Sequence, residues 1–157
     1  MTASLITITS NAATPETLFT PASGQARVEA IDGAFDSLLI EPDSPSFFFT
    51  EVEFNVNILS QQSGQISISV LKEDGTTITS EMFNLSNGGN FFGIQATPGH
   101  SFTSVSLSAT SDDSSVPDII QDVRQIRVTG PVAIPEPGTG VLAASVFLLM
   151  VRRRKRV

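Results

Sequence analysis

Between Thr50 and Ile58 apolar and polar side chains alternate without a break, Val52, Phe54, Val56 and Ile58 against Glu51, Glu53, Asn55 and Asn57. Successive side chains of a strand leave opposite faces, so this two-residue period specifies a half-buried strand and not a helix. The pattern then returns. Ile66, Ile68 and Val70 alternate with Gln65, Ser67 and Ser69, Glu73-Asp74-Gly75 supplies a tight turn, and Thr76 to Phe83 runs back as the hairpin partner. A chain centred on amphipathic strands needs a second apolar face to cover the first.

The same spacing extends in both directions. Leu5, Ile6 and Ile8 among threonines and serines read as a short strand, and residues 11–25, with Pro15 and Pro21, as loop. Arg27 to Ile31 and Asp36 to Glu41 read as two strands around Asp32-Gly33, a dipeptide suited to a hairpin turn, closed by Pro42-Asp43-Ser44-Pro45. Phe91 to Ala96 places Phe92, Ile94 and Ala96 on one side. In Ser101 to Thr110, Val105, Leu107 and Ala109 face inward, and Phe102 is out of phase, which predicts a bulge or a strand start near Thr103. Thr110 to Asp118 is a polar loop, Asp122 to Thr129 a last strand with Ile126 and Val128 inward, and Gly130-Pro131 the end of the unit. Short strands with turn signals about every 8–12 residues predict an all-β, antiparallel β-sandwich over residues 1–131. Its polar faces alternate cleanly instead of closing around a lumen, which favours a jelly-roll-like arrangement.

Phenylalanine is the only aromatic residue, with eleven copies, and tryptophan and tyrosine are absent. In Phe47-Phe48-Phe49 and Phe91-Phe92 neighbouring rings point to opposite faces. Phe47, Phe49 or Phe91 is therefore expected on an outer face as an apolar patch, unless a loop or terminal strand covers it. A sugar-binding face usually presents Trp or Tyr, so their absence weighs against one.

The C-terminus has a different composition. Pro135-Glu136-Pro137 is followed by an apolar segment, 138–151, and then by Arg152, Arg153, Arg154, Lys155 and Arg156. Residues 132–157 read as a tail: a rigid turn, a single short transmembrane helix over 138–151 and a basic stop at 152–156 that stays on the cytoplasmic side. At about 1.5 Å per residue that helix reaches roughly 21 Å, against about 30 Å of hydrocarbon, which makes it a marginal anchor.

This order of Pro135, Glu136 and Pro137, an apolar stretch and a basic end resembles the PEP-CTERM sorting signal of Gram-negative bacteria. The resemblance implies that exosortase, a polytopic membrane protease or transpeptidase, processes the tail. The inner membrane would then be a transient partner, and the rest of the chain would be exported to the cell surface or beyond. An exported protein should open with a basic and then an apolar segment, and Met1 to Ser10 offers neither. Two readings stay open: a signal peptide upstream of Met1, or lost from this sequence, which is the leading expectation, and a chain that never leaves the cytoplasm. The 120s run from Ile119 to Val128 loosely resembles the last strand of ectodomains of this sorting class.

Outside the tail four cations, Arg27, Lys72, Arg124 and Arg127, face fifteen carboxylates, a formal charge of −11. A folded part so acidic excludes nucleic acid as a partner, because phosphate contacts need cations there. There is no cysteine, hence no disulfide, thiolate ligand or Cys nucleophile. His100, the only histidine, lies in the Thr97-Pro98-Gly99-His100 turn and reads as an exposed loop residue. No serine sits in a Gly-x-Ser-x-Gly setting, and no glycine-rich loop precedes a helix. No enzyme is expected and no catalytic residue is assigned. Asp112, Asp113, Asp118 and Asp122 are the weak calcium candidates, since calcium takes six to eight converging oxygens; otherwise no cofactor is expected. The leading expectation is an exported, non-enzymatic surface or matrix protein whose sandwich associates with exopolysaccharide, in a biofilm for example, or with surface proteins. A carbohydrate-binding module is the alternative, and a secreted hydrolase with paired carboxylates in a cleft a third.

Overall fold

The alternating stretch folds as it reads. In the computed structural model, which describes residues 6–12, 16–20, 27–130 and 132–133, Val52, Phe54, Val56 and Ile58 are buried and Glu53 is exposed. Among these residues the strands, in chain order, are β1 (Ile6–Thr9), β2 (Leu18–Phe19), β3 (Arg27–Ala30), β4 (Ser37–Pro42), β5 (Phe47–Phe48), β6 (Glu51–Ile58) and β7 (Gly64–Lys72). They continue as β8 (Thr77–Thr79), β9 (Phe83–Leu85), β10 (Gly89–Gln95), β11 (Phe102–Ser111), β12 (Ile120–Thr129) and β13 (Val132–Ala133). One sheet has the order β1-β4-β11-β7-β8, with β9 also on β7, and the other the order β10-β6-β12-β3-β2. From β3 to β7, and again from β10 to β12, each long strand crosses to the opposite sheet. That alternation makes the antiparallel sandwich a jelly roll.

The Asp32-Gly33 hairpin is corrected. β3 pairs with β12 and β4 with β11, so the two strands belong to different sheets. Each has a buried edge of its own, Val28 and Ala30 in one and Leu38 and Ile40 in the other, and the two line opposite walls of the core. The link crosses the end of the sandwich at Phe35, which is fully buried and exchanges two backbone hydrogen bonds of 2.9 Å with Ile120. Within the stretch read as loop, Leu18–Phe19 pairs with β3. That pairing is only two residues long and has no period to betray it.

Other expectations hold. The β7–β8 hairpin forms around Glu73-Asp74-Gly75, with Val70 opposite Ile78. Its return arm breaks at Ser80 and resumes as β9, one residue out of register. Register also slips between Phe102 and Ser104, as the phase of Phe102 predicts, and both Phe102 and Val105 point into the core. At the head of β7 a Cβ on Gly64 would run into the carbonyl of Thr110, so only glycine fits that approach.

The phenylalanine clusters divide between interior and surface. Phe49 is buried and its ring centroid lies 5.9 Å from that of Phe102, while Phe47 and Phe48 are half-buried in β5, which pairs with β13. Phe92 packs on Phe54 and Phe83, at 5.8 and 5.9 Å, whereas its neighbour Phe91 is 70% exposed.

For the described residues the transmembrane-helix reading is corrected as well. The described residues are strand, turn and loop throughout, and no helix among them is long and apolar enough to cross a membrane. The segment 138–151, to which that helix was assigned, lies outside the described residues.

Phe49→Ala should cost about 3–5 kcal/mol of folding stability, because it leaves a ring-sized cavity between the sheets. Phe91→Ala should stay within about 0.5 kcal/mol of the parent. Urea unfolding of the two variants checks both values.

Candidate functional site

On the outer face of the five-stranded sheet the register arranges side chains in rows across the strands. Phe91 of β10 lies opposite Asn55 of β6, which lies opposite Arg124 of β12, which in turn faces Arg27 of β3. The adjoining row is Gly93, Glu53 and Arg127. Between Arg124 and Arg127 the register of β12 slips, and Gln125 takes a φ of 55°. This bulge sets two residues against one, turning Ile126 toward the core and leaving Gln125 exposed.

The result is a groove of about 340 Å³ lined by Phe91, Phe92, Gly93, Glu53, Phe54, Gln125 and Arg127, with the Phe54 side chain itself buried in the core. A Cβ on Gly93 would meet nothing within 4 Å, so the absence of a side chain there keeps the groove open. Arg127 Nη1 and Glu53 Oε2 are 3.9 Å apart and both side chains are well exposed, which leaves their heads free to bond elsewhere. An apolar ring beside a carboxylate, an amide and a guanidinium suits a ligand with one apolar face and a hydrogen-bonding edge.

Beside the groove Asp122 is fully buried and accepts four hydrogen bonds. Arg124 Nε and Nη2 donate at 2.6 and 2.7 Å, Asn57 Nδ2 at 2.8 Å and Arg27 Nη2 at 2.9 Å. Burial works to raise its pKa, but the bonds from Arg124 and Asn57 and the charges of Arg124 and Arg27 outweigh it and hold the carboxyl below its usual range. Arg27 also pairs with Glu29.

The four calcium candidates do not converge. Asp112 accepts from Ser63 Oγ at 2.6 Å, and Asp113 accepts from the amide and hydroxyl of Ser115, both on the exposed loop. Asp122 is committed to its arginines. Asp118 instead joins Glu16 and Asp36, with carboxylate oxygens of the three within 4.8 Å of one another. These are hard oxygen donors of the kind calcium takes, three residues toward a shell of six to eight. Desolvation first, then the charges of Asp118, Asp32 and Asp36, push Glu16 up to about 7, and burial raises Asp118 also. Sequence spacing does not show this group, because Glu16, Asp36 and Asp118 come together only through the fold.

His100 is exposed in its turn, its amide donating to Thr97 O at 3.0 Å. Pro135, Glu136, Pro137 and the basic run Arg152–Arg156 lie outside the described residues.

No protein-family model and no curated protein matches the chain. Among solved structures it is similar to a mutant of the family 29 carbohydrate-binding module CBM29-2 complexed with cellulohexaose, at 17% identity and a TM-score of 0.44, over 80% of this chain and 92% of that one. A second mutant of that module, complexed with mannohexaose, gives 16% identity and 0.45 over 81% and 93%. An exo-beta-agarase gives 15% and 0.45 over 82% of this chain and 23% of its own. Neither the identities nor the scores establish a shared family.

Glu16 has its folded-state pKa raised from 4.5 to about 7, so the stability it contributes is present at acid pH and lost as pH rises through about 7. Glu16→Gln should therefore raise Tm at pH 8 and leave it nearly unchanged at pH 4. A thermal melt series across that range tests this, and an equal shift at both ends would refute it.

Proposed function

We propose that the sandwich is a non-catalytic module that holds a polysaccharide against the outer face of its five-stranded sheet. One observation carries the reading: Phe91, 70% exposed, stands beside Glu53, Gln125 and Arg127 around an open groove. What sets Phe91 apart is its setting, a ring with hydrogen-bonding heads grouped around a groove, which fits a ligand with an apolar face and a polar rim. The face of a sugar ring is apolar and its rim is hydroxylated, matching the phenyl ring and the polar heads around it. With no Trp or Tyr in the chain, a phenyl ring takes the stacking role. Glu53 and Arg127, at 3.9 Å and well exposed, are placed to accept from and donate to hydroxyls.

Affinity electrophoresis of the full chain through gels containing soluble neutral and acidic polysaccharides tests the reading. At least one polymer should retard the chain, and Phe91→Ala should weaken that retardation about tenfold, equivalent to about 1.4 kcal/mol. Passage through every gel unretarded would end it.

The tail motivates a second proposal, that the chain is exported and that an exosortase acts on it near Pro135-Glu136-Pro137. The order of Pro-Glu-Pro, an apolar segment and Arg152–Arg156 at the C-terminus supports it. A polysaccharide-binding module sorted in this way would associate with exopolysaccharide outside the cell. Intact mass of the mature protein from its native host should show loss of residues C-terminal to this motif; a mature protein that keeps Arg152–Arg156 would count against it.

A further inference from the structure

The groove occupies one side of a longer polar row. Across the strands from Phe91 come Asn55, Arg124 and Arg27 in register. Asp122, fully buried, grips Arg124 through Nε and Nη2 at 2.6 and 2.7 Å and Arg27 through Nη2 at 2.9 Å. A guanidinium has five N–H donors, so Arg124 keeps donors and a flat face beyond those two bonds. The side chains of Arg124 and Arg27 are 37% and 27% exposed. Their charge is already matched by Asp122 and Glu29, so what they offer outward is hydrogen bonding. Between them and Phe91 sits Asn55, 8% exposed, whose carboxamide oxygen has no hydrogen-bond partner.

A buried carboxylate is not needed to hold two strands together, since apolar cross-strand pairs stabilise as well. What it does achieve is immobility. Two arginines fixed in place lose little side-chain freedom when a ligand arrives.

We infer that Arg124 and Arg27 form a second contact for the same ligand, about 10 and about 14 Å across the strands from Phe91 at two and three strand spacings, with Asn55 between, so that the site reads a polymer segment and not a single sugar. This rests on the polysaccharide reading of the face. Asp122 acts as the positioning residue and touches no ligand.

The test uses the full chain and a size ladder made by partial hydrolysis of the polymer that retards it, with affinities from titration calorimetry. Affinity should rise with length until the oligomer spans the row. Arg124→Gln and Arg27→Lys should each lower affinity for the long oligomers about tenfold and leave the shortest unchanged, while Phe91→Ala weakens every length. Removing either arginine from buried Asp122 lowers the urea midpoint whatever its role, so length dependence decides: a merely structural role would weaken all lengths alike, and that result overturns the inference. Equal affinity for all lengths also overturns it while leaving the Phe91 groove in place. Retardation by no polymer overturns both.

Discussion

Two sheets without a covalent link have to be held by what their inner faces bury, and here the sheets are tied by phenylalanine. In the interior Phe102 of β11 meets Phe49, just before β6, and nearer the surface the partly exposed Phe83 of β9 meets Phe92 of β10, each at 5.9 Å between ring centres. Around these rings pack the inward residues of β6, β7 and β11, Val52, Val56, Ile66, Val105 and Leu107 among them. With no cysteine in the chain, no disulfide supplements this contact, so the alternation of each strand has to be kept strictly.

Strict alternation has a consequence outside. Every residue that puts Val52, Phe54 and Val56 inward puts Glu51, Glu53 and Asn55 outward, in register with β10 and β12. The outer face of the five-stranded sheet therefore inherits rigid, ordered rows of polar side chains from the packing of the core. The bulge in β12 adjusts the rows locally, freeing Gln125 beside Arg127 while Ile126 returns to the interior. A surface built in this way keeps its shape without a ligand, the preorganisation that a binding face needs.

Charge is distributed with the same asymmetry. Three of the four cations outside the tail, Arg27, Arg124 and Arg127, stand on this one face, each within 4 Å of a carboxylate. The fourth, Lys72, pairs with Asp74 in the β7–β8 turn. The acidic group Glu16, Asp36 and Asp118 lies apart from it, where the segment before β2 meets the links before β4 and β12.

The strands with a two-residue period could be read directly: β6, β7 and β11, with the slip at Phe102 betrayed by its phase. The exposure of Phe91 was half legible, since one ring of Phe91-Phe92 had to leave the core, but nothing local says which. The groove was not, because Glu53, Gln125 and Arg127 are far apart in the chain and meet only through strand pairing and a bulge. Asp122 reads in the sequence as a weak calcium candidate beside Asp118, yet β12 carries it to two arginines, one of them 95 residues away.

Alternation by itself determined that the described part of this chain is all-β and which side chains each long strand buries, because facing is a local property of the extended backbone. Which strands become neighbours was decided by the tertiary structure: β3 and β4 part where the sequence proposes a hairpin, and Glu16, Asp36 and Asp118 meet where it proposes nothing. Pairing depends on closing a shared core, and that closure is a property of the whole chain.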